Sequence, residues 1–149
     1  MLTKKAKYGL KAMLHLARLD YGASAFVASI AKDNALPKKF LDAILTELRN
    51  AGFLTSKTGR NGGYMLARRP EAISVGSIIR TLDGPLAPIA CASRTSYAPC
   101  SDCGTIELCE IRIMMLEVRE AIAGVLDHRT LAELRDARAD PMASFVYEI

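Results

Sequence analysis

Tryptophan is absent and only 6% of the 149 residues are aromatic, so an aliphatic core is expected. No apolar run approaches the roughly 20 residues that a bilayer-crossing helix needs, which argues against a membrane-spanning protein. A secretory signal is also missing, because Met1-Leu2-Thr3 runs straight into Lys4, Lys5 and Lys7 with no separate apolar stretch. Histidine is scarce. His15 falls inside a helical pattern and His128 stands alone, and no nucleophile, base and orienting group can be assembled around either. There is no phosphate-binding glycine loop, so an enzyme is not expected. A cytoplasmic location follows, and disulfides are uncommon there. The four cysteines, packed between positions 91 and 109, are therefore expected to bind a metal or respond to redox change.

Positive charge is unevenly spread. Residues 1–80 carry 14 Lys/Arg against 5 Asp/Glu, or +9, whereas residues 81–149 carry 6 against 11, or −5. A basic half joined to an acidic half suggests a polyanionic partner for the first half alone. Within it, residues 36–66 read as a helix, a break and a hairpin. Pro37 suits a first helical position, and Phe40, Leu41, Ile44, Leu45 and Leu48 recur at three- and four-residue steps as one apolar face. Gly52 stands where a left-handed cap ends a helix. Phe53-Leu54-Thr55 and Tyr64-Met65-Leu66 then flank a loop, Ser56–Gly63, that holds three glycines, Lys57 and Arg60.

Upstream, the spacing predicts a helix over 4–19 and a short one over 26–34, which completes the order of a winged helix-turn-helix. Its second long helix fits the major groove, with Lys38, Lys39 and Asp42 on the leading turns. The lysines can reach phosphate or guanine. Asp42 can accept from a cytosine amino group or simply favour its helix N-terminus. Arg60 at the wing tip suits a narrow minor groove, and with Asn61 it leads into Gly62-Gly63, which would let the wing backbone approach the sugar-phosphate.

Beyond the wing, Ser74 can cap a helix carrying Val75, Ile78, Ile79 and Leu82. Residues 84–104 are rich in Pro, Gly, Ser and Ala and hold most of the cysteines. From Ile106 to Leu126 the pattern is helical again, with Ile113, Met114 and Leu116 widening the apolar arc, as at a dimer interface. Thr130-Leu131-Ala132-Glu133 fits a capping box, and 139–149 give no clear signal. The cysteines are Cys91, Cys100, Cys103 and Cys109, spaced C-x8-C-x2-C-x5-C. Four thiolates complete a tetrahedral zinc site or hold an iron–sulfur cluster.

Over about residues 1–137 the chain resembles the IscR/NsrR/RirA-type winged-helix transcriptional regulators. The resemblance lies in KAKYGLKAMLHLA at 5–17, LPKKFLDAILTELRNAGFLTS at 36–56, GRNGGYMLARRPEAISVGSIIRTLDGP at 59–85 and LDHRTLAEL at 126–134. It implies a homodimeric repressor with a long crossing helix, bound to a near-palindromic operator in double-stranded DNA, often with an iron–sulfur cluster tuning affinity. It also places Lys7 and Tyr8 near the DNA backbone, and Lys39 and Asp42 on the reading helix. Cluster-binding members commonly use three cysteines and a non-cysteine ligand. Cys91, Cys103 and Cys109 look like that trio, Cys100 is extra, and Glu110-Ile111-Arg112 stands where a histidine ligand would follow. Lys7 occupies a spot where some members place a carboxylate, and Thr58 replaces an arginine often found before the first wing glycine.

The expected architecture is thus mainly α with a small β-hairpin wing. A winged helix-turn-helix with its linker helix spans 1–83 and a cysteine-bearing loop 84–104. A dimerisation helix with a short terminal helix spans 105–137, and a tail 138–149. The expected cofactor is a [2Fe–2S] or [4Fe–4S] cluster held by all four cysteines, sensing iron, cluster or redox and nitrosative status. A structural Zn2+ site, a thiol–disulfide switch and a protein-binding adaptor are the alternatives.

Overall fold

The computed structural model describes residues 2–137. Helix α1 (Lys4–Ala17) opens on Thr3, whose hydroxyl accepts from the Ala6 amide. It ends two residues short of the predicted Leu19. Helix α2 (Val27–Asn34) stops at Ala35, which adopts a left-handed φ of 54° and turns the chain into α3 (Lys38–Asn50). Pro37 is not the first helical residue. Its extended ψ of 117° makes it the cap, and its carbonyl accepts from the Leu41 amide at 3.0 Å. Gly52 has a φ of 85° beyond α3, as its position predicts.

Strands β1 (Leu54–Lys57) and β2 (Gly63–Leu66) pair antiparallel, with Leu54 opposite Leu66 and Lys57 opposite Gly63. The hairpin is longer at its tip than the predicted strands, so Lys57 is on β1 rather than in the loop. Ala25 extends the sheet, exchanging two backbone hydrogen bonds of 2.9 Å with Tyr64. The wing is therefore tied to the segment that leads into α2. Helix α4 (Val75–Asp83) starts where Ser74 accepts from the Ser77 amide, as predicted.

The core is aliphatic, with Met13, Ile30, Leu41, Ile44, Leu45, Leu48 and Ile78 fully buried between α1, α2, α3 and α4. Two predicted features differ. Phe40, assigned to the buried face of α3, is 43% exposed, because a one-residue step from Leu41 turns it about 100° around the helix. The helix predicted from Ile106 begins later: a 3-10 turn at Ile106–Leu108 precedes α5 (Glu110–Leu126). Cys109, with an extended ψ of 107°, is thus the residue before α5 and not part of its first turns.

Helix α6 (Leu131–Asp136) carries the predicted capping box between Thr130 and Glu133. Fully buried Leu131 joins the core that holds Met13 and Ile78, and its amide donates to the Ile73 carbonyl at 2.8 Å. The chain after α5 therefore returns to the winged half. The expectation of no clear structure for 139–149 lies outside the described residues. Among those described, no helix is long and apolar enough to cross a membrane.

Candidate functional site

The leading turn of α3 presents Lys38 and Lys39 to solvent, and Lys7 is exposed on α1 nearby in the fold. Tyr8 is half-buried, and its ring meets Phe40 edge-to-face with centroids 5.8 Å apart. The aromatic pair links the two helices at their exposed margin. Phe40 was not read as a site residue in the sequence, because its spacing fits the apolar stripe. Asp42 accepts from Lys38 at 3.3 Å, an i,i+4 pair in which both side chains are about half exposed. Its carboxylate is thus engaged by its own helix.

On the wing, Lys57, Arg60 and Asn61 are exposed. Ser24 lies 2.8 Å from the Asn61 carbonyl and 3.1 Å from that of Gly62, which holds the tip. The glycines serve the wing itself. Gly62 is buried, and a Cβ there would lie 2.6 Å from the Lys57 carbonyl oxygen. Gly63 has a φ of 110°, and its Cβ would lie 2.3 Å from the Ala25 oxygen. Packing within the hairpin and against Ala25 requires both glycines, whatever part they also play in an approach to DNA.

The cysteine loop folds its sulfurs into a file. The Cys100 thiol donates to Cys91 Sγ at 3.7 Å. Cys100, Asp102 and Cys103 bring one ligand atom each within 4.8 Å of one another. Cys103 stands beside both Cys100 and Cys109, close enough for either sulfur to shift its thiol. Cys91 sits on a short 3-10 turn, Ala90–Ala92, and is buried, while the other three are half-buried. Cys91 and Cys109 lie at the ends of the file, outside the tight group.

Burial raises the Cys91 thiol pKa, helped by the contact with Cys100. For Cys103 the bond to Cys100 acts downwards, but Cys109, desolvation and Asp102 together leave its thiol raised. Metal-free, these thiols therefore resist ionisation, and a cation held among them would reverse that balance. Arg112 donates from Nε to the Cys91 carbonyl at 3.0 Å and ties the loop to α5. Neither Asp102 nor Arg112 was identified as a site residue from sequence. The proximity of Asp102 to two cysteines was a visible signal. Glu110, which stands where a histidine ligand would follow in the family, is not in the tight group.

Thiols and a carboxylate close together are a donor set of the kind a soft metal takes. With thiolates about 2.3 Å from a tetrahedral ion, neighbouring sulfurs are about 3.8 Å apart. The Cys91–Cys100 separation of 3.7 Å matches such an edge.

A helix-turn-helix followed by a basic, pinned hairpin defines the class of winged-helix DNA-binding proteins. The chain belongs to the Rrf2 family, whose model, described as "Iron-dependent Transcriptional regulator", matches residues 2–137. It is thus a transcriptional regulator and not an enzyme. It is 40% identical over 149 residues to a putative rrf2-like HTH-type transcriptional regulator of Rhodobacter capsulatus, covering 98% of this chain and 99% of that one. Its structure is similar to that of CymR, the global cysteine regulator of B. subtilis, with a TM-score of 0.74 and 34% identity, covering 91% of this chain and 96% of that one. It also resembles T. potens IscR, with a TM-score of 0.70 and 28% identity over 100% of this chain and 93% of that one. These likenesses agree with the family named from the sequence and with its mainly helical, hairpin-bearing fold.

Proposed function

We propose that this regulator is a cytoplasmic homodimer that binds a near-palindromic operator and represses transcription. In this reading the cysteine loop holds an iron–sulfur cluster that reports iron or redox status. The observation that carries it is the file of sulfurs from Cys91 through Cys100 and Cys103 to Cys109, set between the winged half and α5. Bound there, a cluster would supply a redox-active centre whose gain or loss changes the order of the loop. The chain's own residues would do the rest. Arg112 fixes the loop to α5, Arg80 fixes α4 to Asp127 beyond α5, and Lys38, Lys39, Lys57, Arg60 and Asn61 meet the DNA. Lys7 and Tyr8 flank that surface, and Asp42 trims the charge of Lys38.

Dimerisation is supported by α5. Its only buried residue is Arg119, while Ile111 is 63% and Val125 63% exposed, with Ile113, Met114 and Val118 exposed between them. Such an apolar helix suits a second copy of itself.

A second reading rests on the 3.7 Å edge. Two thiolates at that spacing would suit one metal, as on a single zinc ion or one iron of a [2Fe–2S] centre, although 3.7 Å is also an ordinary contact between two thiols. A [4Fe–4S] cluster takes each cysteine on a different iron and would need the pair to open. Anaerobic purification with absorption spectroscopy and metal analysis tests the proposal. Visible charge-transfer bands with iron and sulfide support the cluster; a colourless protein with one zinc per subunit replaces it by the structural site.

A further inference from the structure

A cavity of about 280 Å3 lies between α4, α5 and the loop after Cys91, apart from both the DNA face and the sulfur file. Three guanidiniums line it, from Arg80, Arg94 and Arg119, against two carboxylates, Glu120 and Asp127. Arg80 and Asp127 satisfy one another in a two-pronged pair of 2.5 and 2.8 Å. Glu120 is shared, because its Oε1 accepts from Arg94 at 2.5 Å and also from Arg119. That leaves one positive charge in excess.

Arg119, which shares that carboxylate with Arg94, is only 9% exposed. Its Nε is the one buried side-chain nitrogen or oxygen among the described residues without a hydrogen-bond partner. A buried charge-bearing donor without an acceptor is costly, and proteins rarely leave one so. We propose that the cavity binds a small organic monocarboxylate, whose oxygens accept from the guanidiniums of Arg119 and Arg94 that line it. One negative charge balances the site, and a planar fork matches a carboxylate.

The rest of the lining narrows the class. Leu86, Ala87 and Ala123 offer apolar surface, and Ser93 and Thr95 bring hydroxyl groups. An inorganic anion would leave the apolar wall unused, and a cavity of this volume takes a small organic molecule. The ligand would touch α4 on the winged half, α5 and the cysteine-bearing loop at once.

Calorimetric titration of the full-length protein with propionate and butyrate, with sodium sulfate at matched ionic strength as competitor, tests this. Saturable binding at one site per subunit is expected, undisturbed by sulfate. Arg119→Gln and exposed Arg94→Gln should each weaken it roughly tenfold or more. Ala123→Leu, which fills the cavity and keeps every charge, should abolish it. Absence of saturable binding by the wild type overturns the proposal, as does equal affinity in Ala123→Leu and wild type. Sulfate competing as well as carboxylate also overturns it. So does a dimer structure in which a carboxylate of the second copy occupies Arg119 Nε.

Discussion

Single residues decide two of the properties proposed. The first is ligation. Cys100 looked dispensable against the family trio, yet it touches Cys91 and shares a tight group with Cys103 and Asp102. We predict that Cys100→Ala loses metal or cluster as fully as Cys91→Ala, Cys103→Ala or Cys109→Ala, and that Asp102→Ala has a milder effect. Metal analysis of the purified variants checks this, and a Cys100→Ala protein with full metal content would sink the shared site. The second is the shape of the wing. Gly63→Ala drives a Cβ to 2.3 Å from the Ala25 oxygen in a left-handed backbone. The expected result is a wing detached from Ala25, with operator affinity reduced although no charge has changed. Unaltered binding in a gel-shift titration would show that the Ala25–Tyr64 pairing is not needed for DNA recognition.

At the scale of elements, α3 and the wing were readable because their signals are local. A 3.6-residue stripe, a glycine beyond the helix and a glycine-rich hairpin tip depend on few distant contacts. Ser74 and Thr130 announced their caps for the same reason. What sequence could not show was where a stripe ends. Phe40 satisfies the periodicity but faces solvent beside Tyr8, since only packing decides which edge of the stripe is covered. Likewise the helical pattern ran through Cys109, although the chain there is extended before α5 begins.

The aromatic margin, sitting between exposed Lys39 and Lys7, leads to a prediction for α3. Lys39→Ala should lower the salt dependence of operator binding by about one counterion. Arg60→Ala should instead relax A·T preference at the wing. A salt titration with matched A·T-rich and G·C-substituted operators separates the two. Identical behaviour of both variants and wild type would remove this face from contention. The clamp between α4 and the end of α5 responds to pH. Its hydrogen bond from Arg80 holds the Asp127 carboxyl below the usual aspartate range. Its contribution is present above that usual range and is lost as pH falls through the depressed value. The partial exposure of both side chains keeps that contribution small.

For the whole molecule, the exposed face of α5 calls for a partner. Met114 is 50% exposed in the subunit, so Met114→Glu should leave the monomer folded and abolish dimers in sedimentation experiments. An unchanged dimer would place the interface elsewhere. Leu131→Ala should cost about 2–5 kcal/mol, measured by denaturant unfolding, because Leu131 is fully buried in the winged core. That burial has a bearing on biosynthesis. A ribosome makes α1 to α4 first, yet the place for Leu131 stays open until α5 has also been made. The nascent winged half thus matures only after the cysteine loop has emerged, and a product truncated within that loop would lack a part of its own core. Cysteine loop and winged core are in this sense completed together.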